Sequence, residues 1–417
     1  MRTAFWLYLF SFIAIFDLHA QYPILTPFAV SLGAAPSFIG LMMGLYSITH
    51  LPGNVIAGWS VDRFGSRVFI VLSLLAAGII LLLQSRVEDP WHLLLLRSIS
   101  GFVLAFLSPA CMALLARISA DRILQGKLMA GNGLVHTLAS VVSPAAGALL
   151  VARLGFELSF FALGWLLIGT AVCALLFIRD IRPTAAAGGT AGPPHAGAPG
   201  AHGAAAHPAA ALPAKAKEAG ALLPGTPQPV AADDDLPLPW LVYVLPIAMS
   251  CAQGILSFEL PLLAMHDHSI MQTGLLFSVL SLGSLVTLSM MFLNRYSSFR
   301  RTLAGALILA LSYFTAAVGD LVPLTALLFI IGMAKGIIYP ALTTLLIELT
   351  GSAKYGRTFS VLSIAYSVGA FLGPLTAGYV RDAISPYFIA FLVLMTGVAL
   401  LPFAGPRRLH TASGRIG

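Results

Sequence analysis

The strongest constraint on this chain is a series of apolar runs, each about 20 residues long and separated from the next by a short polar stretch. A helix needs about 20 predominantly apolar residues to cross the roughly 30 Å hydrocarbon core of a bilayer. Twelve spans can be placed, at approximately 4–28, 37–60, 67–85, 91–116, 128–152, 157–178, 240–265, 271–294, 302–319, 323–349, 358–380 and 386–404. Only 9% of the residues are charged, against about 25% in soluble domains. The predicted fold class is an all-α membrane protein with twelve transmembrane helices.

Positive charge is distributed unevenly around the predicted spans. Of the 23 lysines and arginines, 18 fall on the side of the chain termini, 3 on the opposite side and 2 within spans. Cytoplasmic loops carry the excess of basic residues in membrane proteins. Both termini are therefore predicted to be cytoplasmic, in an inner or plasma membrane. The net charge of +7 is interpreted as a topology signal, and no nucleic-acid partner is expected.

A change in composition divides the chain. Between Ile181 and Leu236 the apolar runs stop, and alanine, proline and glycine predominate. Such a stretch cannot bury a core and is typical of a flexible linker. The predicted organisation is an N-terminal six-helix half (1–180), a cytoplasmic linker (181–239) and a C-terminal six-helix half with a short tail (240–417). The linker histidines match no ligand spacing, and neither a metal nor a cofactor is expected.

The two predicted halves repeat one another at a nearly constant offset. Three motifs recur at almost the same separation along the chain: Pro109-Ala at Pro340-Ala, Ser143-Pro144 at Gly373-Pro374, and Asp62-Arg63, weakened, at Asn294-Arg295. Transporters built from such repeats place their substrate near the membrane midplane, between the repeats. The sequence therefore predicts two pseudo-symmetric halves around a central site.

The turn after the second span carries a family motif. Gly58, Asp62, Arg63, Gly65 and Arg67 match the pattern G-x-x-x-D-R-x-G-x-R, and the chain resembles the major facilitator superfamily over nearly its whole length apart from the linker. The glycines are expected to allow a neighbouring helix to approach closely at Gly58 and a tight reversal with positive φ at Gly65. The resemblance implies that Asp62 and Arg63 act in a conformational latch, which forms with another helix only in the outward-open state.

Two further segments resemble motifs of this family. Arg97 with Gly101 in span 4 resembles its second motif, and Pro144 with Gly147 in span 5 resembles its proline-glycine antiporter motif, although Ser143 stands where glycine is usual. Prolines break or kink helices, so a hinge and a static bend are both consistent with the pattern. The predicted hinge or packing residues are Gly101, Pro144, Gly147, Gly373 and Pro374.

Four ionisable side chains fall deep within predicted spans, where each is costly in hydrocarbon and usually faces a cavity or a partner. Asp17 shares a helix face with Gln21 at i, i+4, and an extended Arg97 can cover the difference in depth to Asp17. We interpret Asp17 as a proton carrier whose protonation alternates with an ion pair to Arg97, or as half of a permanent ion pair that fixes packing. The predicted cavity residues are Asp17, Gln21, Arg97, Glu259 and Lys335.

The other two ionisable residues leave alternatives open. Glu259 lies only about 9 Å from the outer end of span 7 at 1.5 Å per residue, and it is interpreted as a gate or as a second proton carrier. Lys335 lies near the middle of span 10. It must pair with an acid or meet an anionic group of a substrate.

No phosphate-binding loop, nucleophile elbow or Cys/His metal pattern is found in the sequence, so an ATP-driven protein or an enzyme is not expected. The resemblance implies a secondary transporter, closest in pattern to the drug:proton antiporter branch. The favoured activity is proton-coupled efflux of small apolar or amphipathic compounds by alternating access. The alternatives are proton-linked uptake of a small metabolite such as an anion, lipid flipping, and a non-transporting scaffold. The expected partners of this monomer are a small-molecule substrate, protons and the lipid bilayer.

Overall fold

The computed structural model describes residues 2–118, 121–178, 240–267, 269–319, 321–350 and 355–404. Over these ranges the regular secondary structure is helical, without β-strands. The α-helices are α1 (Arg2–Ala20), α2 (Tyr22–Ser31), α3 (Pro36–Phe64), α4 (Ser66–Gln84), α5 (Pro90–Leu104), α6 (Leu107–Arg117), α7 (Arg122–Phe177), α8 (Val244–Asp267), α9 (Ile270–Ser289), α10 (Ser298–Val318), α11 (Leu324–Thr350), α12 (Tyr355–Val380) and α13 (Pro386–Leu400). The predicted linker, 181–239, lies outside the described residues.

These helices account for the twelve predicted spans. Helices α1 and α2 together form span 1, and α5 and α6 form span 4. Helix α7 contains two spans, because Gly155, with φ of 79°, separates two helical segments. Ten helical segments in the described ranges are long and apolar enough to cross a membrane, and one of these is the 51-residue segment Lys127–Phe177. With α3 as the remaining span, the predicted twelve-helix architecture is confirmed.

Two spans are interrupted next to prolines. Pro23 lies in the first turn of α2, after Gln21, whose φ of −77° and ψ of −17° stay close to helical values. Pro109 lies in the first turn of α6, where its ring would clash with the carbonyl of Ala105 in a continuous helix. Gln21 and Ala105 are both buried, so these interruptions lie against protein, where irregular backbone is tolerated at membrane depth.

The first six spans contact the last six chiefly through two helix pairs, α3 with α12 and α7 with α9. Glycines allow the helices to approach closely in both pairs. A Cβ on Gly40 would lie 2.9 Å from the carbonyl carbon of Pro374, and a Cβ on Gly274 would lie 2.5 Å from the carbonyl oxygen of Pro144. The two prolines predicted as hinge or packing residues therefore lie at the contacts between the halves.

The side of the bundle where α1 begins and α3 ends is called the terminal face below, and the opposite side the distal face. Near the distal face, a Cβ on Gly378 of α12 would lie 2.6 Å from the carbonyl oxygen of Pro36 at the start of α3. Near the terminal face, a Cβ on Gly58 of α3 would meet no atom within 4 Å. The halves are thus packed tightly at the distal face in this conformation.

Candidate substrate cavity

A cavity of about 800 Å³ lies between the two halves. Residues from spans 1, 2, 4, 7, 10 and 11 line it, and apolar side chains such as Leu18, Leu25 and Met43 form much of its wall. The polar groups include Gln21 and Arg97 from the first half. A concave, mostly apolar space with a few convergent polar groups is typical of a small-molecule site. We call it the central cavity.

One wall of the central cavity is a hydrogen-bonded network of three predicted residues. The Nε2 group of Gln21 donates to both carboxylate oxygens of Asp17 at 2.9 Å, and Arg97 Nη1 donates to Gln21 Oε1 at 2.7 Å. All three side chains are buried. The direct ion pair expected between Asp17 and Arg97 is not formed in this conformation, because the amide lies between the two charges. Gln21 and Arg97 line the cavity, whereas Asp17 lies behind them.

Close helix packing holds this network in place. The guanidinium carbon of Arg97 lies 4.6 Å from the ring centroid of Tyr46, a favourable cation–π distance. One turn further along α5, a Cβ on Gly101 would lie 2.6 Å from a side-chain oxygen of α3. A Cβ on Gly147 of α7 would lie 2.8 Å from the Cα of Ala20, next to the interruption in span 1. Glycine at both positions lets the neighbouring helices approach the network.

The second half contains a related pair. Lys335 Nζ donates to Gln253 Oε1 at 2.5 Å, and Gln253 Nε2 donates to Ser257 Oγ at 3.1 Å. Gln253 also lines the central cavity, and it was not among the residues predicted from the sequence. The repeat contained the necessary signal, because Gln253 follows Gln21 at the same offset that separates Asn294 from Asp62.

Lys335 lines a second cavity, of about 500 Å³, that also lies between the halves. We call it the lysine cavity. Its other lining residues are His19, His136, Thr137, Ser140, Leu280, Ser281, Ser284, Leu288, Gly336 and Tyr339. Tyr339 lines the central cavity as well. The two spaces are therefore neighbours that share one wall.

Glu259 does not join the other predicted cavity residues. Its Oε1 lies 3.7 Å from Nε of Arg381, just after the end of α12, and neither residue lines the central cavity or the lysine cavity. The prediction that Glu259 lines the substrate cavity is corrected accordingly. The prediction rested on the depth of its charge within span 7, and depth along a helix does not determine which face of the helix a residue occupies.

Similarity to known proteins agrees with this architecture. Residues 7–374 match the sequence profile of the Major Facilitator Superfamily. The chain belongs to this family. It is accordingly a multi-pass membrane protein of this family. The central cavity between its two halves is the candidate substrate cavity.

Several curated members of the superfamily match part of the chain. The multidrug resistance protein B homologue of Mycobacterium tuberculosis is 30% identical over 38% of this chain and 29% of its own length. The multidrug resistance protein MdtG of Salmonella arizonae is 30% identical over 33% of this chain and 35% of its own length. An uncharacterised MFS-type transporter of Methanocaldococcus jannaschii is 27% identical over 38% of this chain and 41% of its own length. The matches therefore span less than half of each relative's length.

Solved structures of the superfamily share the fold. A bacterial homologue of the human lysosomal transporter Spinster, in an inward-facing and occupied conformation, has a TM-score of 0.68 and 16% identity over 96% of this chain and 94% of that chain. The human organic anion transporter MFSD10 (TETRAN) has a TM-score of 0.63 and 16% identity over 96% of this chain and 99% of that chain. At these identities the likeness shows the fold alone.

The family motif forms a tight connection between α3 and α4. Gly65 has φ of 95° and ψ of 153°, a conformation that favours glycine, as expected. Arg67 Nη2 then donates to the carbonyl of Leu175 at 2.5 Å, near the end of span 6. A cation is favourable at the C-terminal end of a helix. This contact joins span 3 to span 6 within the first half.

The residues of the predicted latch are spread along the end of α3. Gly58 faces open space, so the close helix contact expected there is not made in this conformation. Arg63 is exposed, with its guanidinium carbon 5.4 Å from the centroid of the Phe64 ring. The side chain of Asp62 lies outside what the structure describes. The latch stays a prediction for a conformation in which the terminal face is closed.

Proposed function

We propose that this major facilitator exports small apolar or amphipathic compounds in exchange for protons, in a plasma membrane with both chain termini in the cytoplasm. The network of Asp17, Gln21 and Arg97 carries the proposal. It places a buried carboxylate directly behind the wall of a mostly apolar cavity. The names of two partial relatives, both multidrug resistance proteins, support export as the direction.

Gln21 connects the cavity with the carboxylate. A protonated Asp17 offers an O–H donor, and the Gln21 amide turns its oxygen to accept it. Arg97 then loses its acceptor, and its guanidinium moves into the central cavity. A desolvated charge in an apolar space is unfavourable for an apolar substrate group. Protonation of Asp17 therefore weakens substrate binding. Because coupling between two binding sites is reciprocal, substrate binding in the central cavity also favours release of the proton from Asp17.

Energised inverted vesicles with a pH-sensitive dye test this proposal. The panel contains cationic, neutral and anionic compounds of similar size. We expect some of them to collapse the proton gradient with the wild-type protein and not with Asp17→Asn. Glu259→Gln is the matched control, because it neutralises the other deep acid, which pairs with Arg381 away from the cavities. This variant should respond like the wild type.

Three results count against the proposal. A full response of Asp17→Asn removes Asp17 as the proton carrier. Equal losses in Asp17→Asn and Glu259→Gln, at equal amounts of folded protein, show that neutralising either acid has only a general effect. No response of the wild type to any compound removes proton-coupled export itself.

A further inference from the structure

Lys335 is a cation near the middle of a membrane span. It lies 11 residues after the start of α11 at Leu324 and 15 before its end at Thr350, or about 17 and 22 Å at 1.5 Å per residue. Its ammonium group is thus far from either membrane surface. A charge at this depth is costly and is found facing a partner or a cavity.

The two acids deep within the described spans are already engaged. Asp17 accepts two hydrogen bonds from Gln21, and Glu259 pairs with Arg381. No carboxylate of the described residues forms an ion pair with Lys335 within 4.0 Å. The recorded partner of Lys335 is the neutral amide oxygen of Gln253, which orients the ammonium group but leaves its charge uncompensated. Of the two alternatives left by the sequence, the described contacts therefore favour an external anion.

The described lining of the lysine cavity contains no acidic side chain, and the hydroxyls of Thr137, Ser140 and Ser284 already donate to backbone carbonyls. An ammonium group has three N–H donors, and Gln253 takes one of those of Lys335. Ser281 and Tyr339 also place hydroxyl-bearing side chains in the lining. The Nδ1–H group of His19 donates to the carbonyl of Ile15 at 3.0 Å, so a neutral His19 ring supplies no further N–H donor to the cavity. An ammonium group with free N–H donors and no acid beside it suits oxygen atoms that carry negative charge.

We propose that the lysine cavity binds an oxyanion, the carboxylate or phosphate of an amphipathic substrate whose apolar part occupies the central cavity. Tyr339 lines both cavities, and Gln253 of the central cavity contacts Lys335, so one molecule spans both. This inference rests on the proposed function for the role of the central cavity, and it narrows the substrate class to amphipathic anions.

Binding to the full chain in phosphatidylcholine nanodiscs tests the inference. The probes are 2-naphthoate, 2-naphthyl phosphate, neutral 2-naphthamide and cationic 2-naphthylmethylamine, each corrected for partition into protein-free nanodiscs. We expect the wild type to bind both anions at least tenfold more tightly than the amide, equivalent to about 1.4 kcal/mol. Lys335→Met should abolish this preference and leave the affinity for 2-naphthamide within about twofold, a difference of about 0.4 kcal/mol.

Two further variants separate a local effect from misfolding. Gln253→Glu places a carboxylate of nearly the same shape beside Lys335, and it should abolish the anion preference without lowering thermal stability. Lys127→Met removes an exposed lysine and should bind all four probes like the wild type. Equal affinities of the wild type for 2-naphthoate and 2-naphthamide overturn the inference. So does an anion preference that survives in both Lys335→Met and Gln253→Glu.

A second arm identifies the source of the oxyanion. In this arm, part of the phosphatidylcholine is replaced with the anionic lipid phosphatidylglycerol. If the lipid acts only through surface charge, 2-naphthoate binding should weaken equally in the wild type and in Lys127→Met. The site then takes a free organic anion. If the wild type instead no longer binds 2-naphthoate more tightly than Lys335→Met does, a lipid phosphate occupies the same site. Both results support an oxyanion site.

The inference and the proposed function fail in distinguishable ways. Compound-dependent proton movement without any anion preference overturns the inference alone. Anion binding at Lys335 without proton movement overturns the proposed export and leaves the oxyanion site in place.

Discussion

Replacing Gln21 with leucine removes the amide between two buried charges while keeping most of the side-chain volume. The amide makes two hydrogen bonds to Asp17 and one to Arg97, and a hydrogen bond to a charged group contributes about 1.5–3 kcal/mol. Arg97 keeps its contact with Tyr46, which limits the loss. We expect Gln21→Leu to lower the free energy of unfolding by about 3–5 kcal/mol, the range for breaking a buried charged pair.

A double-mutant cycle isolates the contribution of the carboxylate. With Asp17→Asn already in place, the amide of Gln21 contacts a neutral partner, and its loss should cost less. A neutral hydrogen bond contributes about 1 kcal/mol, so the coupling free energy between positions 17 and 21 should be about 2–3 kcal/mol. Reversible unfolding of the wild type, both single variants and the double variant in mixed micelles measures it.

The cycle has an internal control in the second half. Gln253→Leu removes an amide at the equivalent position, and this residue contacts Lys335 instead of Asp17. Its effect should add to that of Asp17→Asn within about 0.5 kcal/mol. Additivity of the Asp17 and Gln21 substitutions to the same precision would refute the bridging role of Gln21.

Two further predictions concern glycines. A Cβ on Gly40 would lie 2.9 Å from the carbonyl carbon of Pro374, so Gly40→Val should open the distal face. In a cysteine-free background, a cysteine at Leu25 should then react faster with a membrane-impermeant reagent added from that side. Unchanged reactivity contradicts this prediction. Gly65→Ala should lower the free energy of unfolding by about 1–3 kcal/mol because Gly65 has a positive φ. Gly58 faces open space, so Gly58→Ala should leave the free energy of unfolding unchanged. Equal decreases for the two variants in the same unfolding assay contradict this prediction.

The helical architecture could be predicted from the sequence because a bilayer leaves few alternatives. Backbone groups in hydrocarbon must be satisfied within the protein, so each long apolar run becomes a helix. Even α3 was found, although its polar residues, such as His50 and Asn54, dilute its apolar character. The interruption at Gln21 was also within reach, since Pro23 cannot donate a backbone hydrogen bond.

The arrangement of the site was only partly predictable. Spacing placed Asp17 and Gln21 on one face of a helix, and depth placed Arg97 within reach of Asp17. Depth along a helix does not determine which of three neighbouring side chains lies between the other two. That order depends on helix rotation and rotamers, and here it inserts the amide of Gln21 between the charges.

The correction at Glu259 shows the limit of depth as a guide. Glu259 was predicted as a cavity residue because its charge lies within a span, but depth does not reveal which face of the helix the residue occupies. The offset of the repeated motifs, applied to Gln21 without regard to residue chemistry, leads to Gln253, which does line the central cavity. In a repeated membrane fold, backbone equivalence is set by helix packing, and side-chain chemistry at equivalent positions is free to differ.

That freedom accounts for the division of charge between the halves. Each half uses a glutamine at the equivalent position to hold a deep cation, Arg97 in the first and Lys335 in the second. In the first half the other end of the amide meets the carboxylate of Asp17, whereas in the second it meets the neutral hydroxyl of Ser257. The first half therefore balances its charge internally, while the second keeps an uncompensated positive charge. Under our proposals, the same scaffold supplies a proton site in the first half and an anion site in the second.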